Sequence, residues 1–387
     1  MAKRGQGEGS ISKREDGTWW ARITVGRTPD GKQKRKAFYG KTRAEVQKKM
    51  TAALAEINTT GGFIDESRMT FGHWLDIWLN EYKKHEIKPT TYVNYRVRVE
   101  NHIKPSIGHY KLKDLRVDTI QTMINGLNAK GLSSSTVGGA FKTMFGALEQ
   151  AVDNGLLHKN VAAKVTLPTI QKKSIRVFTL EEQARFVGAA KDTYMGEVFL
   201  LDLGTGLRIG EILGLVWGDI NFDDELLRVN RTINITKDYD DTEAKWKKSF
   251  GSPKTKASNR SVPLLPSIVT LLNEVKRRQD EQRLQVGSAY EDIGLVFATQ
   301  LGRPLDPRNM QRTFASIIKK AGIEQGVHIH CLRHTFATRG LESGVELKVM
   351  QELLGHSSIK MTADLYTHVL PDKKKSSMMR MSSTLSF

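Results

Sequence analysis

Apolar side chains recur every three or four positions through the middle of the chain, the spacing of helices that bury one face. Phe71, Trp74, Leu75, Trp78 and Leu79 form the first stripe. Tyr92, Tyr95, Val99 and Ile103 form a second, in a helix opened by Lys88-Pro89-Thr90, with Arg96 and Arg98 on its other side. Ile120, Met123, Ile124 and Leu127 mark a third. Phe141, Met144, Phe145, Leu148 and Ala151 mark a fourth, which opens at Leu132-Ser133 and closes at Asn154-Gly155. Aromatic stripes of this kind are core, so residues 65–170 read as a helical bundle with a polar surface and no catalytic groups.

The flanks are patterned differently. Three strand-length runs come first: one ending at Lys13, then Trp19-Trp20-Ala21-Arg22-Ile23-Thr24-Val25, then one from Lys32 to Tyr39. Glu15-Asp16-Gly17 and Pro29-Asp30-Gly31 supply the turns between them. Thr42, with Glu45 three residues later, predicts a capping box and a helix from Arg43. Residues 1–64 therefore read as a separate module, a three-stranded sheet plus helix, ending in the linker Thr59-Thr60-Gly61-Gly62. Beyond a second linker, Gln171-Lys172-Lys173-Ser174, residues 174–387 read as a mixed, mainly helical domain with a C-terminal tail. Its first helix is capped by Thr179 and Glu182, strands are predicted at 226–233 and 260–264 around a polar stretch at 236–259, and helices follow. The fold class is multidomain α+β.

Charge narrows the partner. Among 387 residues, 60 Lys and Arg face 42 Asp and Glu, a net charge of +18, which favours a polyanion, and nucleic acid before others. The first module alone carries twelve Lys and Arg between Lys13 and Lys49, interleaved with Trp and Tyr. A β-ribbon fits the DNA major groove, so that sheet is expected to bind DNA, with the helical bundle as a clamp on phosphates. The single cysteine, Cys331, excludes an internal disulfide framework and a cysteine-rich zinc site, and its apolar surroundings make it a buried thiol. No long apolar run or export signal is visible, so no membrane partner and a reducing cytoplasmic setting are expected.

The candidate chemistry lies in the last domain. His330-Cys331-Leu332-Arg333-His334 is followed by Leu354-Gly355-His356 and then by Tyr366. Upstream stands Thr205-Gly206-Leu207-Arg208-Ile209-Gly210-Glu211. Attack on a phosphodiester builds negative charge on the non-bridging oxygens, and arginine forks neutralise it best. Arg208 follows a turn at a helix start, where backbone N–H groups also favour an anion. His330 and Arg333 are three apart and share a helix face. A tyrosine attacking phosphorus gives a covalent ester that conserves the bond energy, while Lys254 or Lys256 can protonate the leaving 5′ oxygen.

These segments resemble the tyrosine recombinase (phage integrase) family, and the first 60 residues resemble the arm-binding domain of integrases from Gram-positive phages and conjugative transposons. The resemblance implies that Arg208 and Arg333 clamp the scissile phosphate, His330 moves a proton, His356 binds a non-bridging oxygen and Tyr366 attacks. It places the acid lysine in a turn between strands and favours Lys254 over Lys256. Glu211 would orient Arg208 or cap locally; His334 would be structural and His368 peripheral. No cofactor is implied. Double-stranded DNA at core and arm sites would be the partner, with four protomers on synapsed duplexes, the tail after Tyr366 packing on a neighbour, and a host DNA-bending protein and an excisionase as accessory partners. A type IB topoisomerase would share the chemistry, but the arm-like module favours recombination. A non-catalytic DNA-binding regulator would not need the full residue set. A metal-dependent nuclease would want clustered carboxylates, and none stands near these motifs.

Overall fold

The computed structural model describes residues 9–27, 33–60, 69–169, 175–237, 246–251, 258–324 and 326–366. The chain divides into two compact units, Met1–Gln171 and Lys172–Phe387.

In the first unit, β1 (Ser10–Lys13), β2 (Trp19–Arg27) and β3 (Gln33–Gly40) form an antiparallel sheet in that order. Alternation sorts its two faces. Ala21 and Ile23 are buried on one face, and Ile23 packs against Ala53 of α1 (Arg43–Thr60), with Phe38, Met50 and Leu54 around them. The other face carries Trp20, Arg22 and Thr24 opposite Tyr39, Ala37 and Arg35. The helix start differs slightly from the predicted capping box. Thr42 Oγ1 accepts from Glu45 N, but the Glu45 carboxylate reaches back to the Lys41 N–H, one residue further than expected.

The four predicted bundle helices are present, two of them with widened π turns that a 3.6 spacing does not announce. α2 (Phe71–Ile77) continues as a π segment, Trp78–Lys83. α3 (Pro89–Arg98) runs through a second, Val99–Ile103, into α4 (Lys104–Ile107). α5 (Val117–Ala129) and α6 (Ser134–Asp153) complete the bundle. Trp78 stacks on Tyr95 at 5.7 Å, and Trp74 Nε1 donates to Ala147 O at 2.8 Å. Arg98 is not on an open face as expected. It lies over the Tyr95 ring and against Gly139 of α6, where a Cβ would meet its guanidinium carbon at 2.9 Å.

The second unit opens with α7 (Leu180–Lys191), capped reciprocally by Thr179 and Glu182. α8 (Glu197–Thr205) ends on the left-handed Gly206, and the one-turn α9 (Ile209–Ile212) follows. β4 (Ile220–Asn221), β5 (Leu226–Val229) and, further on, β8 (Arg260–Pro263) form one antiparallel sheet in the order β4-β5-β8. The strand predicted at 226–233 is two strands. Asn230 and Arg231 both donate to Asp219 Oδ1, at 3.0 and 3.1 Å, and turn the chain out of the sheet after Val229. β6 (Thr232–Lys237) then pairs with β7 (Trp246–Gly251) as a separate hairpin, within the stretch read as a polar connection.

α10 (Pro266–Val286), α11 (Pro307–Lys320), α12 (His330–Glu342), α13 (Leu347–Leu354) and α14 (Ile359–Tyr366) complete the unit. Its core centres on Phe178, Phe186, Phe199 and Phe314, whose rings meet at tilted angles with centroids 5.3–5.8 Å apart. Burial on this scale, about 25 cal/mol per Å² of apolar surface, holds α8 and α12 side by side. Among the described residues no helix is long and apolar enough to cross a membrane.

Candidate active site

Two left-handed glycines set the corners of the site. Gly206 (φ 64°) ends α8 and Gly355 (φ 62°) ends α13. A Cβ at Gly206 would stand 2.4 Å from Phe336 Cδ1, so the turn can approach α12 only as glycine. Arg208 follows the first corner, His356 the second, and α12 supplies His330 and Arg333.

Arg333 is 1% exposed, and backbone carbonyls take both of its terminal nitrogens. Nη1 donates to Gly206 O at 2.5 Å and Nη2 to Leu354 O at 2.6 Å, so this side chain ties the two corners together. Burial, then the neighbouring Arg208 and Arg260 guanidinia, pull its pKa down to about 9, and it remains cationic at neutral pH. Arg208 is about one-third exposed and is steered by Glu211, which accepts Nη1 at 2.7 Å and the Arg208 backbone N–H at 3.0 Å. Glu211 therefore does both things the sequence allowed it, orienting the fork and capping α9. Arg208 stands at a helix start as read, the N-cap of α9, but that helix is a single turn and the Glu211 carboxylate already takes the Arg208 N–H.

The histidines are held neutral. His330 is exposed on one side, yet partial burial and the charge of Arg333, then His328 and Arg208, pull it down to about 4. Its ring meets that of His334 edge-on at 4.5 Å. Burial and His330 pull His334 down to about 4, and its Nδ1 has no hydrogen-bond partner among the described residues. His356 is buried, and burial with Arg333 and Arg208 takes it to about 3. Its Nδ1 lies 2.9 Å from Thr362 Oγ1, which also joins the second corner to α14. Cys331 is buried as expected, with its thiol pushed up by burial.

Arg208, His330, Arg333 and His356 thus come from three separated stretches into one electrostatic neighbourhood. Tyr366 is the last residue of α14, the helix tied to His356 through Thr362; its side chain lies outside the description. Lys254, Lys256, His368 and the tail beyond also lie outside the described residues, the two lysines in the segment between β7 and β8. Three groups at the site were not singled out from sequence. Arg260 is 6% exposed and donates to Glu211 Oε2 at 3.0 Å. Asp202 is buried under the site, its Oδ1 has no partner among the described residues, and burial raises its pKa well above the usual carboxylate range. Thr362 is the third. An arginine in a basic chain carries no local signal, whereas a lone carboxylate inside Phe199-Leu200-Leu201-Asp202-Leu203 does. Among the described residues no group of three or more His, Cys, Asp or Glu side chains is arranged to hold a metal ion.

Comparison with known proteins shows the family. Residues 176–373 match the model described as the phage integrase family, and residues 70–128 match the N-terminal SAM-like domain of phage integrases. A tyrosine recombinase XerC-like protein of Caldanaerobacter subterraneus subsp. tengcongensis is 39% identical over 366 residues, covering 91% of this chain and 92% of that one. The Tn1549 transposon integrase bound to transposon right-end DNA superposes with a TM-score of 0.68 at 19% identity, covering 81% of this chain and all of that one. A lambda integrase tetramer bound to a Holliday junction gives 0.56 at 20% identity, covering 94% and 96%.

Proposed function

The chain belongs to the phage integrase family, the site-specific recombinases that cut and rejoin DNA through a tyrosine, and from that premise we propose which of its residues do each part of the work. The observation that carries the assignment is that Arg208, His330, Arg333 and His356, from three separated stretches, come close enough to shift one another's charge, around two glycine corners that Arg333 ties together. Tyr366 Oη attacks the scissile phosphorus and gives its proton to His330, whose ring is neutral at working pH and so has a free lone pair. The bond from phosphorus to the 5′ oxygen breaks, and Lys254 donates the proton that oxygen needs. The products are a 3′-phosphotyrosyl ester and a free 5′-hydroxyl, and attack by a second strand's 5′-hydroxyl reverses the step.

Charge on the non-bridging oxygens is neutralised by Arg208 and Arg333. The two carbonyl bonds of Arg333 use only part of its five N–H donors, so it can serve the phosphate without releasing the corners. Thr362 Oγ1 lies 2.9 Å from His356 Nδ1, and we assign the ring proton to Nε2, which offers it to the phosphate. The face of the first sheet opposite α1, with Arg22, Arg35, Trp20 and Tyr39, reads arm-site DNA, and the bundle of α2–α6 binds beside the crossover. Four protomers on two synapsed duplexes integrate or excise a mobile element, with a host DNA-bending protein and an excisionase as accessory partners.

Covalent trapping tests the assignment. Incubated with nicked core-site DNA in EDTA, the wild-type protein gives an adduct that survives denaturing electrophoresis, and Tyr366→Phe gives none. An adduct that persists in Tyr366→Phe sinks the nucleophile; tight DNA binding without any adduct leaves a non-catalytic regulator on this fold.

A further inference from the structure

Every helix leaves its last carbonyls without intrahelical donors. At the end of α13, three arginines from three distant stretches approach three successive carbonyls. Arg260 Nε donates to Leu353 O at 2.6 Å, Arg333 Nη2 to Leu354 O at 2.6 Å, and Arg208 Nη2 reaches Gly355 O at 3.5 Å. Arg208 and Arg333 belong to the proposed catalytic set. Arg260 does not, yet it joins the two supports on which that set rests. Its Nη2 holds Glu211 Oε2, the carboxylate whose other oxygen steers Arg208. Its Nε holds the helix end from which His356 projects. The remaining nitrogen, Nη1, donates to Ser258 O at 3.1 Å, so no donor nitrogen of this side chain is idle. Arg260 and His356 also line one cleft of about 420 Å³ with Gly355 and Gln351.

We propose that Arg260 is a positioning residue for strand cleavage. Through Glu211 it fixes the fork of Arg208, and through the Leu353 carbonyl it fixes His356, so that two phosphate ligands from separate parts of the unit keep a common register. The proposal rests on the recombinase reading given above. A buried ion pair that served stability alone would be replaceable by apolar side chains at little cost. This one differs because the carboxylate is shared with Arg208, so removing Arg260 frees Glu211 to rotate and carry Arg208 with it. A displacement of about 1 Å at a reacting centre costs on the order of 10²-fold in rate.

The test measures single-turnover adduct formation by Arg260→Met and Arg260→Lys on three core-site substrates, with melting temperature and DNA affinity recorded beside it. The first substrate is the natural phosphodiester. The second carries a methylphosphonate at the scissile position, which removes the charge that Arg208 neutralises. The third has a bridging 5′ sulfur, whose thiolate leaves without a proton. Arg260→Met is expected to be about 10²-fold slower on the natural and sulfur substrates. Its deficit should shrink on the methylphosphonate. Arg260→Lys, which keeps a cation at Glu211 but cannot also reach Leu353 O, should recover part of the rate. Wild-type rates in Arg260→Met, or an equal deficit on all three substrates with a lowered melting temperature, would overturn the proposal. So would a deficit closed by sulfur alone, which would place the effect on the lysine acid. Failure of the wild-type protein to form any Tyr366-dependent adduct would bring down the recombinase assignment, and the positioning role with it.

Discussion

Gly206→Ala tests whether the first corner is a steric requirement of the site. Gly206 has φ 64°, a region that costs an L-residue about 1–2 kcal/mol. The added Cβ would stand 2.4 Å from Phe336 Cδ1 and 3.0 Å from Leu354 Cδ2, so the ring must move within a packed interface. Overpacking of this kind costs about 1–3 kcal/mol. The two effects add to roughly 2–5 kcal/mol, and a unit of this size loses roughly 2–4 °C per kcal/mol, so melting should fall by roughly 4–20 °C. Activity should fall further than stability explains, because the Gly206 carbonyl holds Arg333 Nη1. Scanning calorimetry and single-turnover adduct formation, run below the melting range, separate the two effects. Gly188→Ala is the control. Gly188 lies exposed in α7 with nothing within 4 Å of an added Cβ, so alanine should stabilise by about 0.5–1 kcal/mol and leave cleavage unchanged. If Gly206→Ala melts within 2 °C of wild type and cuts at the wild-type rate, the corner is not the constraint described here.

Other consequences follow from buried charge. His330, His334 and His356 have pKa values of about 4, 4 and 3 in the folded protein, so below pH 6.5 the unfolded chain binds protons that the native site refuses. Their contribution is present above that pH and is lost as pH falls toward about 4; the drop in melting temperature between pH 7.5 and 5 should be smaller in His356→Gln, and an identical drop would mean the ring is not desolvated. Asp202 is raised instead, so its contribution is present at acid pH and lost as pH rises. Asp202→Asn should therefore raise melting by roughly 2–4 °C at pH 8, for about 1 kcal/mol gained, and change little at pH 4. Equal effects at both pH values would reject the buried-carboxylate account. On the sheet of the first unit, Arg22→Ala with Arg35→Ala should weaken arm-site binding and flatten its salt dependence by about 0.9 per lost phosphate contact; an unchanged slope would move the arm-binding face elsewhere.

What was legible in the sequence follows from what periodicity can carry. The bundle helices and the three-stranded module were readable because burial of one face imposes a repeat, and Ser133, Thr179 and Gly155 mark ends by local chemistry. The π turns at Trp78–Lys83 and Val99–Ile103 escape because they add a residue without breaking the stripe. The split of 226–233 escapes because its cause, Asp219, lies outside the window and acts through side chains. The candidate site divides along the same line. Arg208, His330, Arg333 and His356 stand in motifs whose spacing is itself informative. Arg260, Asp202 and Thr362 support them from positions that only folding brings near. Arg260 is the sharpest case: one arginine among 60 basic residues, at the start of a short strand, distinguished only by sharing a glutamate 49 residues upstream and a carbonyl 93 residues downstream. The groups proposed to meet DNA could be named from sequence because each sits in a local motif, whereas the groups that hold them in place form contacts across the whole unit.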